Sequence, residues 1–174
     1  YNQLYDKIDE ESDQVQKEIN DKVAELERQQ SAANAVVGTG NLIWPTPSCY
    51  IVTSPFGMRY HPIYHTNRMH TGIDIGAKYG SKILASDSGT VITSVYSSSY
   101  GNYVVISHGN GVTTLYAHMS SRLVKAGDTV SQGDVIGKVG STGASTGPHL
   151  HFEISINGSR VDPLDYFTGY TKRY

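Results

Sequence analysis

The 174-residue sequence predicts a mainly β protein, an antiparallel β-sheet or sandwich-like domain preceded by one N-terminal α-helix. Three observations predict it. Residues 1–33 contain neither Gly nor Pro and space their apolar residues as a helix does. From Cys49 onward the pattern becomes short β-branched and Tyr-rich runs. Turn signals, and not helical periods, separate those runs.

The apolar positions of the first segment are Leu4, Ile8, Val15, Ile19, Val23 and Leu26. Leu4, Val15 and Leu26 lie eleven apart, as do Ile8 and Ile19, and such a repeat keeps one stripe on a nearly straight helix. The stripe is thin and flanked by charge, so alone the helix is marginally stable. It reads as the end of a longer coiled coil over residues 1–33, with a helical partner. The other reading is a single helix lying on its own domain.

Residues 34–48 hold two Gly and two Pro; residues 34–43 form a linker and a domain begins at Trp44. A large aromatic beside prolines is expected to pack at the domain's edge. The strands expected after it are SCYIVTS, GTVITSVYS, NYVVISHG, GVTTLYAH, DVIGKVG and HLHFEIS. Tyr100-Gly101-Asn102, His108-Gly109-Asn110-Gly111 and Asn157-Gly158 mark turns between them. The domain is expected to run over residues 44–168, with a tail at 169–174.

The sixteen acids and fourteen bases are unevenly placed. Residues 1–30 carry nine acids and four bases, leaving seven and ten for the rest. An overall charge of −2 argues against a dedicated nucleic-acid binder, while the mildly cationic body suits an anionic matrix. Cys49 stands alone, which excludes an internal disulfide and a Cys-rich zinc knuckle. No run is long and apolar enough to span a bilayer. Because the first residue is Tyr, the chain is expected to be a trimmed piece whose signal peptide or membrane anchor is not included.

The histidines stand at 61, 65, 70, 108, 118, 149 and 151. His149-Leu150-His151-Phe152 lies in an alternating strand, so both imidazoles face one way while Leu150 and Phe152 enter the core. His70-Thr71-Gly72-Ile73-Asp74-Ile75, if extended, likewise puts His70 and Asp74 on one face around Gly72. Hydrolytic zinc sites use three protein ligands and leave one position open, so two such pairs make a plausible floor for a metal. Either His149 or His151 fits as third ligand. His118, ending the run Leu115-Tyr116-Ala117-His118-Met119, adds a further histidine. His61, His65 and His108 sit in turn-like stretches and read as exposed loop residues. The segment from Tyr60 to Met69 is a candidate wall of a groove, with Tyr64 and Arg68 as contacts. Asn102 is expected to serve its turn.

The stretches SPFGMRYHPI, RMHTGIDIGAKYGSKILASDSGTV, LYAHMS and VKAGDTVSQGDVIGKVGSTGASTGPHLHFEI resemble the M23 (LytM/lysostaphin-type) peptidases over roughly residues 44–168. The resemblance implies a zinc ion held by His70, Asp74 and His151. It implies that His118 and His149 are not ligands but flank the water at the metal as catalytic acid and base. It further implies an endopeptidase acting on the stem or cross-bridge peptides of peptidoglycan, outside the cytoplasm. The alternative is a non-catalytic or autoinhibited module that binds the wall or activates an amidase. No H-E-x-x-H helix is present, so no glutamate is evident as base.

Overall fold

The computed structural model describes residues 2–29, 36–61 and 66–174. Helix α1 spans Asn2–Gln29. The strands that follow are β1 (Ile51–Ser54), β2 (Gly57–His61), β3 (Thr66–His70), β4 (Ile73–Ile75), β5 (Lys82–Leu84), β6 (Gly89–Ser97) and β7 (Gly101–Ser107). After them come β8 (Val112–Arg122), β9 (Thr129–Val130), β10 (Val135–Val139), β11 (Leu150–Ile156), β12 (Ser159–Val161) and, beyond a short 3-10 turn at Pro163–Tyr166, β13 (Thr171–Lys172).

The main sheet runs β13-β1-β4-β11-β8-β7-β6-β9, with β12 beside β11 and with β10 bridging β8 and β5. Its pairs are antiparallel, as expected, with one exception: β13 lies parallel to β1, Ile51 opposite Thr171. A parallel pair needs a long crossover, and here the whole domain between β1 and β13 provides it. The expected turns carry left-handed backbone at Gly101, Gly109, Asn110, Gly111, Asn157 and Gly158. Hairpin β2–β3 stands apart from the main sheet.

The two faces of the sheet have different tasks. Leu150, Phe152 and Ile154 of β11, Ile73 and Ile75 of β4 and Tyr116 of β8 point into the main core, closed at its edge by Trp44. The Trp44 ring stacks on Tyr50 and Tyr170, meets Phe167 edge-on, and donates its Nε1–H to the Cys49 carbonyl at 2.8 Å. The opposite face presents Tyr100, Tyr103, Val105, Leu115 and Ala117, and α1 packs on it through Val15 and Ile19.

Of the two readings of this segment, the structure shows the helix lying on its own domain. The stripe of α1 is used by the chain's own sheet, with Val23 and Leu26 packed at its margin; the side chain of Leu4 lies outside the described residues. Full burial of a Val or Ile side chain is worth about 1.5–3 kcal/mol, which an isolated 28-residue helix with a charged exterior lacks. Polar contacts fix its register on the sheet. Lys22 Nζ donates to Thr93 Oγ1 at 3.0 Å, and Ser98 Oγ donates to Glu11 at 2.8 Å.

Candidate active site

Strand alternation places His151, Glu153 and Ser155 on the face that carries α1, opposite Leu150, Phe152 and Ile154. Asp74 of β4 lies directly across from His151 in the antiparallel ladder, and Ala117 of β8 lies on the other side. Thus two neighbouring strands set His151 and Asp74 side by side, His151 Nδ1 being 3.0 Å from Asp74 Oδ1.

His70 reaches the same carboxylate by another route than expected. The segment His70 to Asp74 is not one extended strand: β3 ends at His70 and β4 starts at Ile73, with a bend at Thr71-Gly72. A Cβ on Gly72 would come within 2.2 Å of the Phe152 carbonyl oxygen. Gly72 therefore lets the chain cross the β11 backbone; it does not clear space for a ligand. Across that bend His70 Nε2 stands 3.3 Å from Asp74 Oδ1.

His118 is aimed by a backbone irregularity. Tyr116 and Met119 both point into the main core, so strict alternation fails between them. The ladder to β7 shifts register between Asn102 and Val104, and His118 takes a left-handed φ of 61°. A non-glycine residue held there costs ~1–3 kcal/mol. A bulge that re-aims a side chain is its structural effect: Ala117 joins the apolar cluster under α1 while His118 turns into the groove. The His118 ring lies 4.8 Å from that of His149 and 6.0 Å from that of His151, centroid to centroid.

Hydrogen bonds assign the tautomers, because a carbonyl only accepts. His70 gives its Nδ1–H to Pro55 O at 2.7 Å, His118 gives its Nδ1–H to Thr142 O at 2.7 Å, and His149 gives its Nδ1–H to Gly147 O at 2.9 Å. Each therefore offers Nε2 to the groove. His151 is turned the other way: Nε2 meets Glu153 Oε1 at 3.0 Å, leaving Nδ1 on the Asp74 side.

One donor atom each from His70, Asp74 and His151 lie within 4.8 Å of one another. Two imidazoles and a carboxylate suit a divalent metal of intermediate softness, and both imidazoles have their outer nitrogen held by an acceptor, as ligating histidines do. Charge fits as well. Burial would raise the Asp74 carboxyl, but hydrogen bonds from His151 and His70 hold it well below the usual range. Burial would lower His151, yet its hydrogen bonds to Asp74 and Glu153 raise it to about 9. A position that draws a proton between two carboxylates would attract a cation in its place, and a metal held at Nδ1 would displace that proton. His118 behaves oppositely: burial, and then the charges of His151 and His149, lower it to about 4.

Glu153 was not singled out in the sequence, though the period that paired His149 with His151 reaches it one step further along HLHFEIS. It is buried, and it accepts from Thr71 Oγ1, from Tyr100 Oη at 2.6 Å and from His151. Burial would raise its carboxyl, but the His151 hydrogen bond and the Arg160 charge lower it to about 2.

All five expected residues (His70, Asp74, His118, His149 and His151) line one groove of about 500 Å³. Arg59, Arg68 and Met69 of hairpin β2–β3 form one side, and Ile8, Asp9 and Ser12 of α1 another. Arg68 is thus a groove residue as expected, ion-paired with Asp9 at 3.0 Å. Tyr64 and His65 lie outside the described residues, as does the side chain of His61. His108 departs from the exposed-loop expectation. It is buried, its Nδ1 bonded to Ser88 O and its Nε2 to Thr114 Oγ1, away from the groove. The Asn102 side chain ties β7 to β8, donating to Met119 O and accepting from Arg122.

A mainly β domain with a His-Asp-His cluster on its sheet, flanked by two free imidazoles, has the make-up of a metal-dependent hydrolase. The profile of Peptidase family M23 matches residues 68–163, more than half of the chain, and the chain belongs to that family. It is 53% identical over 113 residues to the DD-carboxypeptidase/endopeptidase Mpg of Neisseria meningitidis serogroup B, covering 65% of this chain and 26% of that protein. It is 45% identical over 105 residues to the peptidoglycan DD-endopeptidase ShyC of Vibrio cholerae, covering 60% and 24%. Among solved structures, a zinc-containing peptidase from Vibrio cholerae superposes with a TM-score of 0.67 at 33% identity, over 74% of this chain and 40% of that one. The chain spans about a quarter of the length of these two curated relatives.

Proposed function

We propose that this chain is a zinc-dependent endopeptidase that hydrolyses the D,D-peptide cross-links of bacterial peptidoglycan, outside the cytoplasm. The observation that carries the proposal is the convergence of His70 Nε2, Asp74 Oδ1 and His151 Nδ1 beside two imidazoles whose Nδ1–H groups are held by carbonyls. His70, Asp74 and His151 would hold the metal. When bound, zinc polarises a scissile carbonyl and brings the acidity of water toward neutrality.

The remaining chemistry belongs to the protein. His118, neutral at pH 7 and bonded to Thr142 O through Nδ1, presents an Nε2 lone pair able to take a proton from water. His149 Nε2, 3.7 Å from Asp74 Oδ1, can donate to a developing oxyanion or a leaving amine when the ring carries a second proton, its Nδ1–H being held by Gly147 O. Arg59 and Arg68 give the groove a cationic side, which suits the carboxylates of wall peptides. The names of the relatives supply the D,D bond and the peptidoglycan substrate. A non-catalytic wall-binding or amidase-activating module has less support, since all five polar residues are present and aimed into one groove.

The test is digestion of purified peptidoglycan of known cross-linking, with the new termini identified by mass spectrometry. We expect cross-linked dimers to fall to monomers, activity to vanish with a chelator, and zinc to restore it. Cleavage that persists after complete removal of metal, or products cut at another bond, would refute the respective part of the proposal.

A further inference from the structure

Helix α1 shares a sheet face with the candidate metal site, and one of its side chains enters the polar cluster behind His151. Ser12, one turn before Val15 on the docked stripe, is buried. Its Oγ is 3.0 Å from Tyr100 Oη and accepts from Arg160 Nη2 at 2.9 Å; the Ser12 carbonyl accepts from the same nitrogen at 2.7 Å. Arg160 Nε lies 3.4 Å from Glu153 Oε2, an ion-pair contact.

The direction of these bonds follows from the inventory of hydrogens. A carboxylate only accepts, so Tyr100 spends its single O–H on Glu153 Oε1 at 2.6 Å. The Ser12 hydroxyl must then donate to Tyr100 Oη while accepting from Arg160. Glu153 receives Tyr100, Thr71 and His151 Nε2 on one oxygen. With Nε2–H held by Glu153, His151 turns Nδ1 toward Asp74 and donates to Oδ1 at 3.0 Å, the position at which a metal would replace that proton. The bonds from Arg160 through Ser12 and Tyr100 to Glu153 therefore point one way and reinforce one another, and His151 Nε2–H donates to the same carboxylate oxygen from the other side.

We infer that Ser12 of α1 is a positioning residue of the metal site, acting through Tyr100 and Glu153 to orient the His151 ring for coordination. Helix α1 is on this view a structural part of the site. Its Ser12 face completes the buried cluster, and its apolar stripe keeps Ser12 in register. The inference rests on the reading of His70, Asp74 and His151 as metal ligands.

The experiment measures zinc affinity of the full chain by competition with a chromophoric chelator, and the visible absorption bands of the cobalt-substituted protein, in five variants. Glu153→Gln, which touches His151 directly, should weaken zinc by about 10–100-fold. Tyr100→Phe and Ser12→Ala, one and two bonds more remote, should weaken it by about fivefold and shift the cobalt bands. Ser12→Thr, which keeps the hydroxyl, should restore both readings. Val23→Ala, which loosens the same helix away from the cluster, should leave both unchanged while lowering thermal stability. Wild-type affinity and spectrum in Ser12→Ala would overturn the inference, and so would equal weakening by Val23→Ala, which would make helix docking alone responsible. A wild-type chain that binds no zinc would instead overturn the metal-site reading beneath it.

Discussion

Asp74→Ala is expected to cost at least about 10³-fold in kcat/KM on peptidoglycan, the loss of several kcal/mol of transition-state stabilisation. Asp74 is the only carboxylate among the three convergent donors, and the ring nitrogens of His70, His149 and His151 lie 3.0–3.7 Å from its Oδ1. Removing it would take away the one negative charge among the three donors proposed to hold the cation. It also leaves His151 with Glu153 as its only carboxylate partner. Zinc content should fall together with activity, read by metal analysis after gel filtration. Asp74 lies opposite His151 in an antiparallel ladder whose backbone bonds do not depend on the side chain. The circular dichroism of the variant should therefore match the parent. A variant that keeps both zinc and turnover would remove Asp74 from the site.

His118→Ala is expected to separate chemistry from metal binding. General acid–base groups contribute about 10²–10⁴-fold, and His118 has the properties of one. It is neutral at pH 7, its tautomer is fixed by Thr142 O, and its ring faces those of His149 and His151. The loss should appear in kcat, with zinc stoichiometry unchanged, because His118 is not among the three convergent donors. Loss of zinc from this variant would make His118 a ligand; an unchanged kcat would leave proton transfer to His149.

The legibility of this site follows strand period. His151 on β11, His149 two residues earlier just before that strand, and Asp74 on β4 obey alternation, so the sequence alone could set them on one face. His118 could not be placed that way. The bulge that turns it from core to groove is a tertiary feature, required by the β7 and β10 registers on either side of β8. Glu153 obeys the same alternation as the histidines, and a carboxylate in an otherwise apolar strand was signal enough; it went unread because its partners Tyr100 and Arg160 are distant in sequence. His108 shows the converse: a turn-like context did not reveal a ring buried between Ser88 and Thr114. The stripe of α1 was legible as a stripe, but an apolar period does not say what covers it. A partner helix and the chain's own sheet demand the same residues. The parallel β13 was hidden for a similar reason, as two exposed residues carry no pattern of their own.

Anomalous scattering at the zinc edge from crystals grown with zinc tests the central claim most directly. One strong peak is expected at about 2.0–2.2 Å from His70 Nε2, an Asp74 carboxylate oxygen and His151 Nδ1, with an open side toward His118 and His149. No peak between those three side chains, or a peak bound only by other residues, would contradict it.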